Sequence, residues 1–314
     1  MPRLAGACPT IALILGVATF PVLAAQKASS RPRTEFVELD AVVMDSNDRP
    51  VRGLHREDFQ VKEDGRAVAV TSFNEVSASG IAGRMDSRSV VLLLDDTGVG
   101  ASGTTIVQNI ARRFMSPARP ADAVAVVRLT HYREDEAISS PIGSLQIALD
   151  RIDEYRAKSV PYFGRESIEE SLRALARISM QLEPIEHRRK AVVCIGLRNL
   201  CDLYLQMPEN SLLWPAWRDA LSAAARANVS LYVVDPAGVT GRVDLGDGLV
   251  DHTGGADFVR SNNYERAVDQ VWEEAGHYYL LGYTPTARPR ELHSIQIKVK
   301  GKGLHVRARL SRGD

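Results

Sequence analysis

Two carboxylates, a hydroxyl and three glycines crowd into the stretch Val90–Gly103, VVLLLDDTGVGASG: Asp95, Asp96 and Thr97, then Gly98, Gly100 and Gly103. The three glycines have the GxGxxG spacing of a turn that cradles a pyrophosphate against a helix N-terminus, the chemistry of a dinucleotide-binding oxidoreductase. That turn needs its first glycine directly off the strand. Here Asp95, Asp96 and Thr97 intervene and set two negative charges where two phosphate charges should sit. The acid that should end the second strand and hold a ribose is also missing, because Leu129 is followed by Thr130 and His131. A plainer role for Asp95 and Asp96 is to cap the following helix and complement its dipole.

The rest of the chain offers little catalytic chemistry. The seven histidines are scattered, with no pair at a metal-ligand spacing. No serine sits in a GxSxG elbow. Asp251 and His252 are adjacent before Thr253-Gly254-Gly255, which reads as a turn. Lysine plus arginine and aspartate plus glutamate each total 39, so no net charge favours nucleic acid or anionic lipid. Arg3, the apolar run Thr10–Ala24 and the small residues around Ala24 and Ala25 read as a cleaved signal peptide over 1–25, hence a secreted or periplasmic protein with no membrane span afterwards. Cys194 and Cys201 then remain. Cys194 reads as a core residue, and a bridge to Cys201 has no support from the spacing.

These residues need elements to position them. After a polar linker over 26–33, the region 34–76 alternates as a small β unit, with Glu63-Asp64-Gly65-Arg66 as a hairpin turn. A Ser/Gly/Ala-rich linker follows over 77–88. From 89 to 284 apolar strands alternate with amphipathic helices, which predicts an α/β domain with a doubly wound, mostly parallel sheet. Its last strand is expected at His277–Gly282, with one of Tyr278 and Tyr279 in the core and the other at the surface. In 285–314, Ser294–Lys300 and Leu304–Leu310 alternate apolar with basic residues, which predicts a hairpin with a solvated basic face. Neither terminal unit has enough strands for a core, so the two are expected to pack together as one β-sandwich.

The order of these features resembles a known family. The alternating region is similar to a von Willebrand factor A domain. Arg49-Pro50-Val51, Glu57-Asp58-Phe59, Glu63-Asp64-Gly65, ANVSLYVVDPAG at Ala227–Gly238, Thr253-Gly254-Gly255 and YYLLGYTP at Tyr278–Pro285 resemble the bacterial von Willebrand factor A-related proteins abundant in Acidobacteria. The resemblance covers nearly all of Thr34–Arg309 and implies a non-enzymatic module that binds a protein partner of the adhesion or scaffold type.

It also implies a divalent-cation site of oxygen ligands at the top of the sheet. Asp95 matches the first carboxylate of that site, and Thr97 can replace its first serine. Val99 stands where a second serine should be, and Leu197 and Arg198 stand where a carboxylate and a glycine should be. The second loop has Glu166, with Ser167 beside it, where a threonine belongs. Three of the five ligand positions thus depart from the pattern, and the site reads as degenerate. Arg198 could neutralise Asp95 and Asp96 in the metal's place; in the alternative, Glu166 joins Asp95 and Thr97 to rescue magnesium binding. Either way Asp96, Val99, Ser167, Leu197 and Arg198 fall on the expected partner-binding surface.

Overall fold

A computed structural model of the chain describes residues 36–77, 87–132, 144–158, 165–185, 189–196, 211–238, 248–259, 261–285 and 292–312. The leader segment, Leu197, Arg198 and Cys201 lie outside the described residues. Cys194 is buried.

Five parallel strands make the central sheet: β5 (Ser89–Leu94), β6 (Ala123–Arg128), β7 (Lys190–Ile195), β8 (Val229–Val234) and β9 (Ala256–Phe258), in the order β6-β5-β7-β8-β9. Each of the first four is an almost unbroken apolar run, as strands covered on both faces must be. Alternate side chains go to opposite faces. Val90, Leu92, Leu94, Val124, Val126, Ala191 and Val193 pack against α1 (Thr104–Met115), α2 (Leu145–Glu154) and α6 (Tyr264–Gly276). Val91, Leu93, Ala125, Val127, Val192, Cys194 and Leu231 pack against α3 (Arg165–Leu182) and α4 (Trp214–Ala227). Trp217, near the start of α4, is buried and stacks on Trp214 with ring centroids 5.4 Å apart. A short α5 (Leu249–His252) leads into β9.

The chain runs from β5 outward to β6 and then returns to the other side of β5 as β7. The strand order therefore reverses between β5 and β7, and the crevice at their carboxyl ends is where open α/β sheets bind ligands.

Two four-stranded antiparallel sheets form a second layer. One has the order β12-β1-β10-β4, from β12 (His305–Ala308), β1 (Val37–Met44), β10 (His277–Tyr283) and β4 (Ser72–Ser77). The other has the order β13-β11-β2-β3, from β13 (Ser311–Arg312), β11 (His293–Val299), β2 (Phe59–Glu63) and β3 (Arg66–Val68). Leu39, Ala41, Val43, Tyr279, Leu281 and Tyr283 of the first sheet share a core with Phe59, Val61 and Ile295 of the second. Asp64 and Gly65 both have positive φ, 46° and 77°, which fits the tight turn joining β2 to β3 with Glu63 opposite Arg66.

Four sequence expectations are corrected here. The strand His277–Tyr283 is not in the parallel sheet; it lies antiparallel between β1 and β4. A strand buried on both sides has no surface residue to offer, so Tyr278 and Tyr279 are both buried. The C-terminal strands do not form a hairpin. β11 pairs with β2 while β12 crosses to pair with β1, which lets their apolar sides close one core from opposite sheets. The basic side of β11 is solvated, with Lys298 and Lys300 exposed, but that of β12 is not: Arg307 is only partly exposed and Arg309, just after the strand, is buried.

Candidate functional site

The Asp95 turn sits at the β5–β7 crevice. The Asp95 amide donates to the Ile195 carbonyl at 3.0 Å, which continues the sheet one residue past β5. The side chain then folds back on its own loop. Its Oδ1 accepts from the Thr97 amide at 2.9 Å, the Thr97 hydroxyl at 3.0 Å and the Gly98 amide at 2.7 Å. The Tyr155 hydroxyl closes the turn from the side, donating to the Asp95 carbonyl at 2.5 Å. Asp95, Asp96 and Thr97 are all buried. Burial pushes the Asp95 carboxyl above the usual carboxylate range, and the bonds from Gly98 and Thr97 oppose that rise.

Asp96 faces the other way. Its carboxylate accepts from the Thr130 amide at 3.1 Å and from the Thr130 hydroxyl, and its carbonyl accepts from the Lys158 amide at 2.8 Å. Asp96 thus ties the ends of β5 and β6 together. Neither aspartate caps α1 as the sequence suggested. The residue at that cap is Gly103, with no side-chain bond, because the turn spends both carboxylates before the helix begins.

Val99 fills the crevice. A Cβ on Gly103 would lie 2.1 Å from Val99 Cγ1, and one on Gly196 would lie 2.6 Å from Val99 Cγ2. Both glycines are thus required by close approach of the same isopropyl group. Gly98 packs likewise against Asp95, since a Cβ there would be 2.3 Å from Oδ2. The GxGxxG spacing therefore serves the turn itself. The Gly98 amide is taken by Asp95, the Gly103 amide by the Gly100 carbonyl at 3.0 Å, and Gly100 supplies a φ of 76°.

Ser167 is buried in the first turn of α3, where its carbonyl accepts from the Ser171 hydroxyl at 2.9 Å, and Glu166 beside it is exposed. The structure brings together Asp95, Thr97, Gly98, Val99 and Gly196. It does not join Glu166 to Asp95, whose carboxylate bonds only Thr97 and Gly98. Among the described residues no group of three or more His, Cys, Asp or Glu side chains is disposed to hold a metal ion. A hard cation needs oxygen lone pairs. Here Oδ1 of Asp95 already accepts three bonds, which leaves Oδ2 as its one open oxygen, and an apolar side chain stands where a second oxygen ligand should be, so the described residues do not fit the cation that the family resemblance implies.

A second concentration of charge lies at the opposite, amino end of the strands, and sequence reasoning missed it. Arg189, just before β7, is fully buried. Its guanidinium donates to Asp40 of β1, to the Tyr232 hydroxyl at 3.0 Å and to the Gly254 carbonyl at 2.6 Å, and lies 3.6 Å from Glu274 of α6. Glu274 also accepts from Tyr232 at 2.7 Å, Gln270 at 2.8 Å and Arg307 at 2.7 Å. Arg309 donates to the carbonyls of Ala225 and Glu38. These bonds clasp the sandwich to the α/β layer. The only sequence signal for them was the alternation of Arg307 and Arg309 with apolar residues.

No family model matches the chain, and no curated protein matches it. Among solved structures, the human COPII-coat protein Sec24c is similar at 11% identity and a TM-score of 0.35, over 73% of this chain and 45% of that chain. This chain therefore spans less than half of that protein's length, and a likeness of this degree assigns neither a family nor an activity.

Proposed function

We propose that this chain is a secreted or periplasmic protein-interaction module of the von Willebrand factor A-related type, non-enzymatic, whose contact face at the carboxyl ends of the parallel strands works without a bound cation. The observation that carries this reading is the self-contained Asp95 turn, in which Oδ1 of the carboxylate is held by its own loop and Val99 packs into the crevice. Such a turn keeps its shape with no ligand in place, as a preformed docking surface should. The dinucleotide reading is disfavoured by the same bonds, since the Gly98 and Gly103 amides that would hold a pyrophosphate are already used.

The face includes Ala101, Ser102 and Glu166, all exposed, and the partly buried Val99; Asp96 and Ser167, expected on it from the sequence, are buried beneath it because their side chains and backbone are taken up within the fold. Leu197 and Arg198 complete it in the sequence mapping. Photo-reactive side chains placed at Ala101, at Glu166 and, as a control, at Lys298 on the exposed side of β11 test the assignment. After incubation with the envelope fraction of the source cell, Ala101 and Glu166 should cross-link to the same discrete protein and Lys298 should not. Cross-linking confined to Lys298, or saturable binding of NAD, would overturn the reading.

A further inference from the structure

Where the chain passes between the sandwich and the α/β layer, Arg52, Ser77, Arg88, Arg119, Trp272 and His277 line a recess of about 220 Å³. That is room for about seven waters, or a ligand of similar bulk. Arg88 precedes β5, so the recess lies at the amino end of the sheet, away from the Asp95 turn. We propose that it binds a small oxyanion, a carboxylate or a phosphate group, through Arg52, Arg88 and His277.

His277 opens β10 and is 3% exposed, yet among the described residues neither ring nitrogen finds a well-formed hydrogen bond. The Val51 carbonyl faces the ring and favours its protonated form, but it already accepts from the Tyr279 hydroxyl at 2.8 Å. Oε1 of Glu75 is 3.5 Å from Nε2, and both Glu75 oxygens already accept from the Gly53 amide, at 3.2 and 3.3 Å. A buried imidazole without partners is costly unless something else supplies them. Burial, helped by Arg52, holds this histidine below its ordinary range, so at neutral pH it is uncharged and offers one N–H donor.

Arg88 is fixed on two sides. Its Nε and Nη2 reach Asp122 at 3.2 and 2.5 Å, Nη2 reaches the Pro117 carbonyl at 2.9 Å, and the guanidinium carbon lies 4.2 Å from the centre of the Trp272 ring. Nη1 is left with no partner among the described residues. Arg119 is a second guanidinium on Asp122, 3.1 Å away, beside the same aromatic wall. Arg52 is exposed and makes no hydrogen bond or ion pair among the described residues. The acids facing this set are Glu75 and, exposed on α6, Glu273. A preorganised guanidinium, an exposed one and a neutral donor are the parts that clamp a planar or tetrahedral oxyanion.

The test is a titration of the full chain, with ¹⁵N-labelled histidine rings, by sodium phosphate and separately by sodium acetate, with sodium chloride at matched ionic strength as the control. His277 resonances, assigned through His277→Gln, should move saturably, and the imidazole should titrate at higher pH with the anion bound. Arg52→Ala should weaken the response at least about tenfold, while Arg173→Ala on α3 should not. A response to phosphate alone identifies a phosphoryl ligand, one to acetate alone a carboxylate, and one to both a general oxyanion site. No saturable movement beyond the chloride control, or an identical response in Arg52→Ala, would overturn the proposal.

Discussion

The two ends of the parallel sheet solve the same problem, a buried charge, in opposite ways. At the carboxyl end Asp95 is satisfied within three residues, by Thr97 and Gly98. At the amino end the two terminal nitrogens of Arg189 are held by Asp40, Tyr232 and Gly254, which are 149, 43 and 65 residues away. A locally satisfied charge can sit next to a changing surface, because nothing distant depends on it. A charge satisfied at long range fixes the relation between layers, and its loss leaves several buried groups unpaired at once. The contrast gives the amino end the bonds that join the layers, and leaves the carboxyl end as the face on which the proposed function rests.

The sharpest way to break that contrast is Arg189→Met. Removing one member of a buried ionic network costs about 3–5 kcal/mol, because Asp40 stays buried without its hydrogen-bonded cation and Glu274 keeps Arg307 alone. Urea unfolding should show this as a large fall in the midpoint. A loss below about 1 kcal/mol, the range of an exposed pair, would mean that the network does not hold the layers together.

At the other end the largest expected effect is steric. Gly103→Ala drives a methyl into Val99 and should cost about 1–3 kcal/mol. Because the clash is with a single side chain, Val99→Ala in the same molecule should recover most of the loss. Additive destabilisation in the double variant would show that Val99 does not fill the crevice.

A smaller, pH-dependent effect belongs to the amino end. Arg88 and Arg119 hold the Asp122 carboxyl down to about 2, against burial, from its ordinary 3.8. A depressed carboxyl pKa stabilises the fold above pH 4, and that stabilisation fades as pH falls towards 2. With Arg119 45% exposed and screened by water, the contribution is about 1–2 kcal/mol. The stability gap between the native chain and Asp122→Asn should therefore close between pH 4 and pH 2. A gap that stays constant through that window would remove Asp122 from the account.

How much of this was legible beforehand follows the same division. The Asp64-Gly65 turn and the apolar runs of β5 to β8 are local patterns, and the sequence carries them openly. The sheet to which HYYLLGY belongs is not local. An apolar run states that a strand is buried but not which neighbours bury it, and β10 finds its partners more than 200 residues back, in β1 and β4. Arg309 reads as a wet residue because its acceptors, the carbonyls of Ala225 and Glu38, leave no trace in side-chain composition. Within the candidate site, Asp95 and Thr97 were recognisable as a turn. That Val99 closes the crevice needed Gly196, nearly a hundred residues on, to be placed beside it.

The central claim, a recognition face whose Asp95 turn stands without a cation, is tested most directly by thermal melting in magnesium and in EDTA. A ligand held only by the native state at a hundredfold excess over its Kd adds about 2.7 kcal/mol. In a domain of this size that would raise Tm by a few degrees. With Oδ1 of Asp95 occupied and Val99 in the crevice, Tm should be the same in millimolar magnesium as in EDTA. A clear rise with magnesium that disappears in Asp95→Ala would show that the turn holds a metal after all.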